Sequence, residues 1–209
     1  MKYVDPDGRE DKYTDNIIQF YIPEGNKNRP GTPLTEVKGI VIHWTEAPKQ
    51  SPKVTINDWI KRVGYGSAQY VIGTNGDIYQ AMSETEVAWH SGENEKHKYF
   101  YTDKAKALLK DETEKSVNYF LIGIELEPLS GKGTTPTAGE FSLLTETAAI
   151  QLTARLMLKY KLNPNKDLYR HYDLTTKDCP YYYLDDNRWM IFVEKVKAEM
   201  EKLGGVGYE

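Results

Sequence analysis

Apolar residues in this chain fall into short runs between long polar stretches, and the spacing inside each run predicts its form. VKGIVIHW (37–44) and VNYFLIGIELEP (117–128) are nearly continuous apolar runs of strand length, the pattern of strands buried on both faces. QYVIGTNGDIYQAM (69–82) reads as two strands joined by a tight turn at Asn75-Gly76, and VAWHSG (87–92) as a short extended piece. Three stretches have helical periodicity. Thr55 is placed to cap a helix whose Ile56, Trp59, Ile60 and Val63 share one face. Thr145 opens a second helix running to about Tyr160, with Ala149, Leu152, Leu156 and Tyr160 as its stripe, and Asp185–Leu203 is an amphipathic third. The charged segment 93–118 reads as a solvated insertion with a helix around Asp103–Lys110. Residues 1–36 are rich in Pro, Gly and Asn, with IIQFYI (17–22) as a short strand, and read as an arm wrapped on the domain. The order of elements predicts an α/β fold: a single domain with a mixed central sheet flanked by helices, spanning 37–203 between the arm (1–36) and a tail (204–209).

Composition narrows the function classes. A chain of 209 residues with 39% hydrophobic and 28% charged residues suits one domain with a proper core and long polar loops. A net charge of −4, with no basic patch, argues against nucleic acid as a partner. A lone cysteine cannot form an intrachain disulfide, so the redox compartment stays open. No run approaches the roughly 18 apolar residues of a membrane span, and the N-terminus lacks the apolar core of a signal peptide. The chain is therefore expected to travel by a route other than general export, and to act as a monomer.

The chemistry concentrates in DLYRHYDLTTKDCP (167–180), which holds His171, Lys177 and Cys179 within nine residues. Imidazole and thiolate together favour zinc, which binds nitrogen and sulfur tetrahedrally. His43, at the end of a buried strand, is the best third ligand. His43, His171 and Cys179 make a His2Cys set with one position left for water, the open form of a catalytic zinc. Taken singly, a strand-end histidine is usually a packing residue and a lone cysteine an inert one. Glu125, inside the apolar IGIEL, is either a solvent-facing strand end or a buried carboxylate with a task, and as a general base it could activate water. Lys177 is either an exposed loop lysine or a charge for a developing oxyanion. His90 is a further candidate histidine, whereas His97 sits in the charged insertion as a solvated residue.

The blocks GIVIHWT, SAQYVIGTNGDIYQ, VAWHSG, IGIELE and RHYDLTTKDCP, in this order over about residues 37–200, resemble the zinc-dependent N-acetylmuramoyl-L-alanine amidases of the amidase-2 type. That group includes phage and bacterial lysins and the peptidoglycan recognition proteins. The resemblance implies one zinc at His43, His171 and Cys179, Glu125 as catalytic base and Lys177 as oxyanion stabiliser. The H-x5-K-x-C spacing is similar to that of the Cys-containing branch. His90 matches the family's W-H-[AS]-G block, where the histidine lies at the substrate groove. A tyrosine found near the metal in some members is replaced here by Ala68, and Tyr70 belongs to the sheet. The implied reaction is hydrolysis of the amide between N-acetylmuramic acid and L-alanine in peptidoglycan. Trp44, Trp89 and the Tyr181–Tyr183 cluster are candidate groove residues, as aromatics often line ligand clefts, with core packing or ordinary surface the better reading for at least two of them.

Rival readings are a non-catalytic peptidoglycan-binding module of the same fold and a zinc hydrolase of another amide. Retention of all three ligands with Glu125 and Lys177 weighs against the first; the groove loops leave the second open. A further resemblance, of YVDPDGRE (3–10) to the segment that closes YD-repeat cores, would make the chain part of a larger secreted toxin. Release of an endolysin through a holin accounts equally well for a missing signal peptide.

Overall fold

A computed structural model describes residues 17–62, 64, 66–109 and 116–204. Six strands, β1 (Ile17–Gln19), β2 (Gly39–Trp44), β3 (Tyr70–Ile72), β4 (Ile78–Gln80), β5 (Leu121–Leu126) and β6 (Leu168–Arg170), form one sheet in the order β1-β4-β3-β5-β2-β6. Only β3 and β4 pair antiparallel, across the Asn75-Gly76 turn; the other pairs are parallel, so the sheet is mixed. Among the described residues the α-helices are α1 (Pro52–Lys61), α2 (Asp103–Lys106), α3 (Leu143–Tyr160), α4 (Pro164–Asp167), α5 (His171–Thr175) and α6 (Asp186–Lys202).

The two faces of the sheet differ in a way that locates the site. On one face Ile40, Ile42, Trp44, Ile122, Ile124 and Leu126 pack under α3 and α6 in a continuous apolar core with Leu152, Leu156, Phe192 and Val196. On the other, successive strand residues point the opposite way. There two smaller clusters form. Val41, Leu121 and Tyr169 meet Tyr101, Ala105 and Leu108, while Val71 meets Ile56 and Trp59 of α1. Between these clusters the strands carry His43, Gly123 and Glu125, at or near the carboxyl ends of β2 and β5. Parallel strands with their carboxyl ends side by side are where open α/β sheets place ligands.

Several boundaries differ from the sequence expectation. α1 starts at Pro52, whose fixed φ suits a first helical position, so Thr55 lies inside the helix instead of capping it. Ser142, not Thr145, caps α3 by accepting the Thr145 N–H at 2.9 Å; the Thr145 hydroxyl instead donates to the Gly73 carbonyl. The 93–118 insertion is not merely solvated, because Tyr101, Ala105 and Leu108 bury against the sheet. VAWHSG is irregular, although its Val87 and Ala88 are buried. Residues 17–34 lie along the sheet edge, tied by β1 and by a two-pronged Arg29–Glu86 ion pair with contacts of 2.8 Å. The YVDPDGRE segment and Val63 lie outside the described residues. No helix is long and apolar enough to cross a membrane among the described residues.

Candidate metal centre and active site

In the sheet register His43 of β2 stands directly beside Glu125 of β5. The third strand at this end, β6, stops at Arg170, and His171 begins α5 immediately after it. Arg170 is buried and fixes that junction: its guanidinium binds both oxygens of Asp173, the Tyr183 carbonyl and Asp186 Oδ1, while its own N–H donates to Asp173. The loop after α5 returns through Thr176, in a left-handed conformation (φ 60°), and the Tyr172 N–H donates to the Cys179 carbonyl at 2.8 Å. Cys179 thereby arrives next to both histidines.

The result is a compact donor set. His43 Nδ1 lies 3.1 Å from His171 Nδ1 and 3.7 Å from Cys179 Sγ, and the three ligand atoms all lie within 4.8 Å of one another. Metal bonds of about 2.0–2.1 Å to nitrogen and about 2.3 Å to sulfur at tetrahedral angles separate the donors by about 3.3–3.6 Å. The residues present therefore fit the zinc that the resemblance implies in chemistry, and the two separations from His43 Nδ1 lie close to the spacing such an ion imposes. No other group of three or more such side chains converges this way among the described residues.

Electrostatics favours, at both histidines, the neutral state that metal binding needs. Burial, with His171, His90 and Lys177 nearby, holds His43 well below the ordinary imidazole value. Burial, with Lys177 and His90, does the same to His171, so both rings are neutral. Burial pushes the Cys179 thiol up against the pull of Lys177, and a bound cation is what makes such a thiol a thiolate ligand. Burial also raises Glu125 to about 7, opposed by Lys177 and reinforced by Glu46. Its Oε2 is buried with no hydrogen-bond partner, an arrangement that costs stability in a carboxylate without a task. Burial works against the Lys177 ammonium, but Cys179, Glu46 and Glu125 outweigh it and hold the group above its ordinary value. Glu46 sits 3.3 Å from the Lys177 Nζ and has a left-handed backbone (φ 56°), which is unusual for a residue other than glycine.

A family model described as N-acetylmuramoyl-L-alanine amidase matches residues 33–182, most of the chain. The chain belongs to this amidase family. It is 26% identical over 182 residues to the N-acetylmuramoyl-L-alanine amidase BlyA of Bacillus subtilis, covering 86% of this chain and 46% of the relative. It is 28% identical over 178 residues to the amidase CwlL of Bacillus licheniformis, covering 82% of this chain and 43% of the relative. The chain thus spans less than half the length of these curated relatives. Among solved structures, the catalytic domain of XlyA superposes with a TM-score of 0.62 at 22% identity, covering 87% of this chain and 99% of that one. PlyL superposes at 0.64 with 17% identity, covering 88% and 98%. These two share the fold.

Not every residue expected at the site of this amidase-family chain lies at its surface. Trp44 follows His43 on the strand and so points to the opposite face; it is 2% exposed in the core, stacked on Tyr181 with ring centroids 5.6 Å apart. Trp89 is half-buried against Tyr119, with its indole N–H on the Lys27 carbonyl. Tyr183 is buried in the core, while Tyr181 and Tyr182 are partly exposed. Tyr70 is a buried strand residue whose hydroxyl donates to Glu84, and Ala68 is buried. His97 is exposed. His90 lies behind His43, both of its ring nitrogens facing protein atoms. Three residues at the site went unnoticed in the sequence: Glu46, Gly123 and Arg170. Of these, Gly123 carried a signal, since a glycine inside a buried strand marks a close approach.

Proposed function

We propose that this chain is a zinc hydrolase that cleaves the amide between N-acetylmuramic acid and L-alanine in peptidoglycan. The observation that carries the reading is the pairing, in one sheet register, of the His43–His171–Cys179 donor set with a partly buried Glu125 carboxylate near neutrality whose Oε2 is buried without a hydrogen-bond partner. His43, His171 and Cys179 would hold the ion. Zinc bound there would polarise the amide carbonyl and acidify water. Glu125, with a pKa of about 7, is matched to taking a proton from the attacking water at neutral pH and returning it to the departing amine. Lys177 stays charged and provides positive potential for the oxyanion, with Glu46 holding its ammonium in place. The catalytic unit is residues 37–203, with the arm 1–36 lending an edge strand and 204–209 as a tail, and its site of action is the cell wall.

Mass spectrometry of purified peptidoglycan digested by the protein, with and without a zinc chelator, tests the reading. The expected result is new L-alanine amino termini and peptide-free glycan, lost with chelator and restored by zinc. Bound zinc without cleavage of several wall types would instead point to a binding module or a different amide.

A further inference from the structure

The surroundings of His90 decide which nitrogen of each buried histidine carries its proton. His90 Nε2 lies 3.3 Å from the Leu121 carbonyl oxygen, which can only accept, so this nitrogen carries the hydrogen. In the neutral ring Nδ1 is then bare. It faces His43 Nε2 at 3.1 Å and the buried Ser91 hydroxyl at 2.9 Å, both able to donate. With its proton on Nε2, His43 presents a lone pair at Nδ1, the atom that faces His171 and Cys179. The other tautomer would aim an N–H into the donor cluster and leave two bare nitrogens facing each other at 3.1 Å.

We propose that His90 is a positioning residue, not a substrate contact: through the Leu121 carbonyl–His90–His43 chain it fixes the His43 tautomer and ring so that Nδ1 is the metal donor. The inference rests on the zinc reading given above. The slot for the His90 ring is built into the fold, independently of that chain. A Cβ at Gly123 would come within 2.8 Å of His90 Cγ and Cδ2, so the ring lies against a strand that has room for it only because residue 123 is glycine. From the other side Asn118 Oδ1 accepts the backbone N–H groups of His90 and Ser91, at 3.3 and 2.8 Å. A ligating imidazole usually donates its second N–H to a carboxylate, carbonyl or water, which raises its basicity and holds its orientation. Here the acceptor of that N–H is a second imidazole, itself oriented by a main-chain carbonyl.

The test uses the full chain loaded with zinc. Long-range 1H–15N correlation of the histidine side chains in the unmutated protein is expected to show His43 protonated on Nε2 with Nδ1 as the metal-bound nitrogen, and His90 protonated on Nε2. His43 coordinated through Nε2, or His90 protonated on Nδ1, overturns the proposal. Zinc affinity, read by competition with a chelating dye, is expected to fall about 10–100-fold in His90→Ala. His90→Asn, whose side-chain oxygen can accept from His43 Nε2, should recover most of that loss. Zinc bound as tightly by His90→Ala as by the parent, whatever happens to hydrolysis, overturns the proposal. If the variants fail to fold, the spectrum of the unmutated protein decides alone. A parent protein that takes up no zinc overturns the zinc reading itself, and is recognised before any variant is made.

Discussion

Glu125→Gln should make the metal-free protein more stable above neutral pH, although it removes the group assigned as base. Burial lifts the Glu125 pKa from 4.5 to about 7, with Lys177 opposing and Glu46 adding. A carboxyl group whose folded pKa lies above its unfolded value keeps its proton longer in the folded state, so folding loses free energy as pH rises between the two values. At 1.36 kcal/mol per unit, the stability lost by the parent between about pH 5 and about pH 8 through this one group is about 2.5 kcal/mol. Glutamine has no such titration. His43, His171 and His90 are held low and give a slope of the opposite sign over part of the same range, but that slope is common to both proteins. The difference between parent and variant therefore isolates Glu125. Urea unfolding of both proteins in chelator at about pH 5, 6, 7 and 8 measures it, provided the m-value is unchanged. A stability difference that stays flat from about pH 5 to about pH 8 would refute the buried, high-pKa carboxylate and with it the match between Glu125 and neutral-pH base chemistry.

Other substitutions separate holding the ion from using it. Cys179→Ala and His171→Ala are expected to abolish zinc uptake and hydrolysis together, as measured by metal analysis of the purified proteins and release of L-alanine termini. Glu125→Gln, by contrast, should keep its zinc and lose about 10²–10⁴ in turnover, the usual worth of a positioned base. Lys177→Ala should lower turnover by about 10²–10³ with zinc content unchanged, the loss expected of an oxyanion donor. Arg170→Ala breaks a buried guanidinium network that holds Asp173, Asp186 and the Tyr183 carbonyl, and should cost about 3–5 kcal/mol in denaturant unfolding.

What the sequence disclosed and what it hid divide along a physical line. His43 and Glu125 were legible because each interrupts an apolar run, and a polar group in a buried strand needs a partner or a task. Their adjacency was not legible, because strand register is set by pairing between segments far apart in the chain. β6 and α5 escaped notice because three and five residues are too few for any periodicity; what defines them is the β2 pairing and the Arg170–Asp173 contact, both tertiary. The assignment of Trp44 to the groove could have been rejected from the sequence alone. Neighbouring residues on a strand face opposite sides of the sheet, so placing His43 at the site commits Trp44 to the α3–α6 core. The same alternation puts Gly123 on the face of Glu125, and there the missing side chain is what admits His90 behind His43. A glycine two residues before a carboxylate in an apolar strand thus marks where another segment lies against the strand, but not which one. That identity depends on the irregular Val87–Gly92 segment, whose position is set by bonds to Asn118, Ser67 and the Thr32 carbonyl and by no pattern of its own.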